Sequence, residues 1–532
     1  MDDVVDINAM LHLVGDFSRY QFLLLFLFSI INILSAFHYF GQTFIGVVPE
    51  YMCSYASVNE SGPEVRQIGS CSVVVNRENH LQEIPCLNGW SYKSPHDYVS
   101  IIQEFNWICG LEWIPSLGQS IFFIGSVFGS LIFGVLADKF GRLHCLVASN
   151  TIASIGNLIT VLSKSPVTFV MSRFIAGCAT DTNFVMMYII VMEYIRPSMR
   201  TLGLNLIIGV FYCLSCMAVP WVAVSLGNWW LFLSVISLPN LLIISFYLYV
   251  PESAQWLISK GRTEKAIQCF KEIAKFNSRT IPDKSIDSLK FYCEEHVNVF
   301  TGKHENLLGL LRTPKLRRKT LILIFKSMVM TLCYDAISRN VDGLAYSPFV
   351  VFTITSSTIL PACIFILATQ DQVGRKALAS GALFASGVFT IASGIFQASI
   401  EKPEPIVILT LAIIARLSIN IAYNSGAQYA VELIPVVVRG QGVSAIHVAG
   451  YAASFFSPQI LFLSTFWKPS PDVILGTLLI LGSIACLFLP ETLDKVLPVT
   501  LEDGETFGEN EGIFEFSFLK KKKTASTIEL VK

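Results

Sequence analysis

The sequence predicts an all-α membrane protein whose twelve transmembrane helices form two six-helix pseudo-repeats. Three observations carry this expectation: an apolar composition, twelve segments long enough to span a bilayer, and a set of landmarks that occurs twice in one order. Of the 532 residues, 53% are hydrophobic and 14% charged, with a mean hydropathy of +0.58. Soluble domains carry about 25% charged residues, so much of this surface must face lipid. The net charge of −1 points away from a nucleic-acid partner. The partner the composition implies is the bilayer.

Crossing about 30 Å of hydrocarbon takes roughly 20 residues at about 1.5 Å each. Segments that meet this begin near Tyr20, Ser116, Leu143, Val167, Gly203, Trp229, Thr320, Pro348, Ala377, Pro405, Gly440 and Pro471. Those near Val167, Gly203 and Gly440 are the less apolar, as spans that line a wet cavity would be. The first twenty residues, with Asp2, Asp3, Asp6 and Asp16, lack the basic start and cleavage site of a signal peptide. The first apolar segment is therefore expected to stay as a span.

The landmarks set the repeat. Asp138-Lys-Phe-Gly-Arg142 recurs as Asp371-Gln-Val-Gly-Arg375. Glu193 precedes Arg200 by seven residues, and Glu432 precedes Arg439 by seven. Pro251-Glu252-Ser253 recurs as Pro490-Glu491-Thr492. So long a period excludes a short-repeat solenoid. In an apolar chain it implies two parallel-repeat halves, the architecture of a secondary transporter.

The expected divisions are an N-terminal segment 1–19, a first half 20–250 that includes an outer loop 41–115, an inter-half loop 251–319, a second half 320–489, and a tail 490–532 that is mostly disordered. Basic residues set the orientation. Lys139, Arg142, Arg196, Arg200, the stretch from Arg262 to Lys319, Arg375, Lys376, Arg439 and Lys520 to Lys523 fall on one side, with Lys164, Arg339, Lys402 and Lys468 scattered opposite. Both termini are thus expected in the cytoplasm.

The outer loop holds Cys53, Cys71, Cys86 and Cys109. In an oxidising compartment these imply two disulfides, with three possible pairings. Asn59-Glu60-Ser61 in the same loop is an N-glycosylation sequon. In the inter-half loop, Thr263 can cap a helix with apolar positions Ala266, Cys269, Phe270 and Ile273. No pair of cysteines has convincing zinc-ligand spacing, and no metal or other cofactor is implied.

Asp138 with Arg142, and Asp371 with Arg375, stand four apart where a span ends and the chain turns back. They can pair with each other or with a facing helix end. Contacts to a facing helix exist only while that side of the protein is closed, so the expected role is a gate latch. Glu193, Arg200, Glu432 and Arg439 would complete a two-fold charge network.

Further motifs make the chain resemble the organic ion transporters of solute carrier family 22. They are Ala36-Phe37-His38, Cys86-Leu-Asn-Gly89-Trp90, the run Ser100-Ile-Ile-Gln-Glu104-Phe-Asn-Trp-Ile-Cys109, Gln119-Ser120, Phe123-Ile124-Gly125, Pro251-Glu252-Ser253-Ala-Gln-Trp256 through Gly261-Arg262, and Glu432-Leu-Ile-Pro435. The landmarks cover nearly the whole chain. The resemblance implies the major facilitator fold and transport of small organic cations, anions or zwitterions at the plasma membrane. Departures are also visible. The outer loop has four cysteines where many members have six. Tyr451 stands where cation transporters have an acid and anion transporters a base, and Thr180 stands where some cation transporters have lysine.

Ionised side chains at bilayer depth face a cavity and find a partner. Asp335, after Tyr334 and near the middle of the seventh span, is the first candidate for a cationic substrate group. The competing expectation is a salt bridge to Lys326 or Arg416. Asp181 is a second carboxylate, and Arg416 could receive a substrate carboxylate. Tyr423, Asn424 and Tyr451 offer hydrogen bonds, and the tyrosines offer faces to an ammonium. Acid and base together suit an amine or a zwitterion; an organic anion is the alternative. A transporter-like sensor that binds without moving solute also competes. An enzyme is disfavoured, because no Gly-x-Ser-x-Gly, His-Glu-x-x-His or P-loop is present.

Overall fold

The computed structural model describes residues 7–15, 18–54, 65–67, 71–77, 80–86, 89–195, 208–301, 307–341, 346–400, 402–509 and 511–517. Twelve helices in it are long and apolar enough to cross a membrane. They are α1 (Arg19–Ile45), α2 (Trp113–Phe140), α3 (Arg142–Val161), α4 (Pro166–Tyr194), α5 (Gly209–Leu226), α6 (Trp229–Leu248), α7 (Pro314–Arg339), α8 (Pro348–Val373), α9 (Arg375–Ser399), α10 (Pro405–Leu433), α11 (Val436–Thr465) and α12 (Ser470–Leu487). Each starts within a few residues of its predicted place, except where residues 203–207 lie outside the described ones. α7 begins earlier than its apolar run, because Pro314 at its first turn starts the helix and the basic stretch to Lys319 is helical too.

Small residues draw the helices together. A Cβ at Gly129 would overlap the carbonyl of Cys178, and one at Gly177 the carbonyl of Phe122, so α2 and α4 touch backbone to backbone. α4 is broken near its middle: Pro166–Gly177 and Thr182–Tyr194 are separate helices joined by a turn. Asp181 sits at that break.

The segment between α1 and α2 is a small β structure, and its side of the bundle is called here the loop side. β1 (Glu50–Cys53) pairs antiparallel with β5 (Trp90–Lys93). Between them β2 (Val65–Gln67), β3 (Ser72–Arg77) and β4 (His80–Pro85) form an antiparallel sheet. Cys53 is bonded to Cys86 and Cys71 to Cys109, each with Cα atoms 5.5 Å apart. This selects one of the three pairings. Asn59 lies outside the described residues.

The opposite end, the termini side, carries further helices. The inter-half helix spans Thr263–Phe276, with Ala266, Phe270 and Ile273 at 2% exposure or less. Its N-cap is Arg262 rather than Thr263, because the helix starts one residue earlier. Helix Ile7–Val14 packs on it through Met10, Leu11 and Val14. Asn277 ties the two, accepting from the Tyr20 N–H at 2.9 Å and donating to the Val14 carbonyl at 3.0 Å.

The tail departs from the expected disorder. Thr500 caps a short helix, Leu501–Thr506. Glu505 accepts from the backbone N–H groups of Lys315 and Leu316 at 3.0 and 2.6 Å, occupying unpaired donors at the start of α7. Lys319 donates to the Gly504 carbonyl at 2.8 Å. The basic stretch that ends at Lys319, which the sequence uses to set the orientation, thus also holds the tail. Residues 518–532, with Lys520 to Lys523, lie outside the described ones.

Candidate functional site

The bonds that join the two halves gather from the middle of the bundle to the loop side. Asp335 is fully buried. It accepts from the Tyr39 hydroxyl of α1 at 2.7 Å, the Ser457 hydroxyl of α11 at 2.6 Å and Arg339 Nε at 2.7 Å. Arg339 also donates to the Thr43 hydroxyl at 2.7 Å and the Tyr39 carbonyl at 2.8 Å, and lies 4.9 Å from the centre of the Tyr39 ring. Beside this cluster, Ser120 of α2 donates to the Phe455 carbonyl at 2.8 Å and accepts from Gln459 at 3.0 Å, while Ser116 donates to the Pro458 carbonyl at 2.9 Å.

Two expectations are corrected here. The ion-pair partner of Asp335 is neither Lys326 nor Arg416; it is Arg339, one helical turn on. Asp335 is also not central in its span, because α7 runs on to Arg339. An arginine expected in a loop is instead 4% exposed and wedged between the halves. Its planar fork matches one carboxylate and two further acceptors at once, which a loop-tip cation would not need.

Asp181, Tyr423, Tyr334 and Arg416 line up across the middle. Asp181, half-buried at the break in α4, accepts from the Tyr451 hydroxyl of the other half at 3.2 Å and from Ser130 at 3.4 Å. The Tyr423 and Tyr334 rings are tilted together with centres 4.6 Å apart. The Arg416 guanidinium lies 4.6 Å from the Tyr334 ring centre and donates to the Tyr334 carbonyl at 3.0 Å. It is 1% exposed, and its Nε and Nη2 find no acceptor among the described residues. An acid and a base therefore flank two phenol rings in contact, an arrangement able to meet charge of either sign. Asn424 does not join them: it is exposed and its amide donates to the Asn420 carbonyl of its own helix at 3.0 Å.

On the termini side the duplicated charges pair within their own halves. Arg142 lies 3.3 Å from Asp138 and Arg375 3.0 Å from Asp371, with both aspartates well exposed. Glu193 accepts from the Ser253 hydroxyl. Glu432 accepts from the Thr492 hydroxyl and from Arg375 Nε at 3.4 Å. Arg439 donates to the Ile434 carbonyl at 3.2 Å and makes no direct ion pair with Glu432, although the charge of that carboxylate acts on it; Arg200 lies outside the described residues. Among the described residues, these partners come from the same half. Of the two expected pairings, the structure shows Asp138 and Asp371 each with the arginine of its own turn, and no contact of these charges to the other half among the described residues.

Sequence reasoning gave Glu252 and Glu491 no role. The Glu252 carboxylate accepts from the N–H groups of Arg142 at 2.8 Å and Leu143 at 3.2 Å, and Glu491 accepts from the N–H of Arg375 at 2.9 Å. Each acid caps the first turn of a span, where a negative charge also meets the positive end of the helix dipole. Gly141 (φ 110°) and Gly374 (φ 98°) keep the space, since a Cβ at either would overlap that carboxylate. Their recurrence in the Pro-Glu-Ser/Thr motif was the available signal. For Tyr39, Ser457 and Arg339 no such signal exists.

Residues 91–499 match the family model described as sugar (and other) transporter. The organic cation transporter-like protein of Drosophila melanogaster is 28% identical over 531 residues, covering 94% of this chain and 92% of that one. The human organic cation/carnitine transporter 2 is 25% identical, covering 100% and 98%. Among solved structures, the inward-open xylose transporter XylE from E. coli superposes with a TM-score of 0.59 at 17% identity, covering 91% of this chain and 100% of that one. A second structure of that protein, described as a proton:xylose symporter of the major facilitator superfamily, gives 0.58 at 16% identity, with 91% and 99% covered. The chain belongs to the sugar (and other) transporter family and is a multi-pass membrane protein with the major facilitator fold.

Proposed function

We propose that this chain is a secondary transporter of small organic ions in the plasma membrane, working by alternating access, with amines and zwitterions as its first substrate class. The names of its relatives support the organic-ion assignment over a sugar. The observation that carries the charge class is Asp181. It is a half-buried carboxylate at a helix break in the middle of the bundle, beside Tyr451 and near the paired rings of Tyr423 and Tyr334. A broken helix that presents polar groups at the midplane is how such bundles build a solute site. Asp335, enclosed by three donors, serves the seam between the halves rather than the solute.

The bundle closes on the loop side, and the duplicated charges are unlatched across the halves on the termini side. With the basic residues placing the termini in the cytoplasm, this arrangement faces inward. An organic-anion reading is favoured by one feature, the two unpartnered nitrogens of Arg416.

The test is uptake of a labelled panel of amines, zwitterions and organic anions into cells expressing the chain. Saturable amine uptake that Asp181→Asn lowers at least tenfold, at equal surface level, supports the reading. Uptake confined to anions and lost with Arg416→Gln moves recognition to Arg416. Binding without uptake sinks transport in favour of a sensor.

A further inference from the structure

Lys326, midway along α7, is 1% exposed and lines a narrow gap between α7, α10 and α11. This space lies on the termini side of Tyr334, on the flank that faces inward. Lys326 Nζ donates to the Gly426 carbonyl at 2.7 Å and lies 5.3 Å from the Tyr429 ring centre. An ammonium has three donors. Among the described residues, no carboxylate lies in the lining or within ion-pair distance of this one.

Around it the wall is polar where it need not be: Ser327, Thr331, Tyr423 and His447 all line the space. Gly426 is part of the same arrangement, because a Cβ there would come within 2.9 Å of both Lys326 Nζ and Met330 Sδ. An unpaired cation at bilayer depth is costly and characteristically marks a solute path. The cation and the missing counter-ion complement one chemical group, an anion brought by the solute.

We propose that Lys326 receives the carboxylate of a transported organic ion when the protein faces inward. With Asp181 taking the ammonium, the preferred solute is a zwitterion whose charges lie far enough apart to reach both. This rests on the transport reading above and narrows its substrate class. Lys326 bonds the solute through a charge-assisted contact, and loss of one such contact is worth about tenfold in affinity.

The experiment compares the full chain with K326M and K326R in cells, using tetramethylammonium and γ-butyrobetaine as a pair that differs by a carboxylate arm, with surface levels measured by biotinylation. Wild type is expected to take up γ-butyrobetaine. K326M should raise its KM about tenfold while changing tetramethylammonium uptake less than twofold, and K326R should recover most of the loss. A parallel fall for both solutes makes Lys326 structural and overturns the inference. So does an unchanged KM. Wild type that moves tetramethylammonium but not γ-butyrobetaine overturns it while leaving transport standing. If wild type moves neither, this inference falls, and the wider panel decides the transport reading. Where K326M does not reach the surface, K326Q, which keeps an N–H donor for the Gly426 carbonyl, is read by the same criteria.

Discussion

Replacing Arg339 by methionine would remove the charge beside a fully buried carboxylate. Asp335 would keep the Tyr39 and Ser457 hydroxyls but lose its ion-pair partner at 2.7 Å. Breaking a buried pair from one side costs about 3–5 kcal/mol. The two surviving donors place this case near the lower end, about 3 kcal/mol. The cost falls on the closed seam in particular, because Tyr39 and Ser457 come from opposite halves and Arg339 itself bonds the Thr43 hydroxyl and Tyr39 carbonyl across it. When the seam opens, water can solvate Asp335 in either protein. At 1.4 kcal/mol per tenfold, the seam-closed population should fall about 100-fold relative to the open one. Ser120 reports this directly: it is fully buried in the seam between Phe455 and Gln459. In an S120C background, R339M should speed modification by a membrane-impermeant thiol reagent added outside by at least tenfold, and R339K should fall between. R339M that reaches the cell surface with an unchanged modification rate would refute the idea that this pair holds the outer seam shut.

Other outcomes follow from the same geometry. G141A and G374A each force a side chain onto a capping glutamate at a backbone conformation that costs about 1–3 kcal/mol; both should lower the melting temperature in detergent, whereas G134A, which meets open space, should leave it unchanged. Glu252→Gln and Glu491→Gln keep the acceptor but lose the charge at a helix start, and each should cost about 0.5–1 kcal/mol in the same melt; no loss in either would show that the negative charge adds nothing to these caps. The disulfides close separations of 33 and 38 residues. By loop entropy each contributes about 4 kcal/mol, so C71S/C109S should reduce surface delivery sharply, and normal delivery would show that the outer loop folds without that bridge.

The number of spans, the duplication and the position of the turn charges were legible in the sequence because they depend on local properties. Apolar length, a glycine between an aspartate and an arginine, and the side on which lysine and arginine collect need no knowledge of what packs where. The same holds for the helix Thr263–Phe276, whose buried stripe follows from its period alone. Tertiary structure decided the partners. Asp181 meets Tyr451 across 270 positions, Arg142 meets Glu252 across 110, and Arg375 meets Glu491 across 116. Arg339 shows the limit most plainly. Its charge placed it in a loop, yet one more turn of α7 and a ring from the opposite half make burial favourable. Whether a charge sits in water or in a seam depends on which surfaces the packed helices bring to it, and that is a property of two segments at once, which no single stretch of sequence contains.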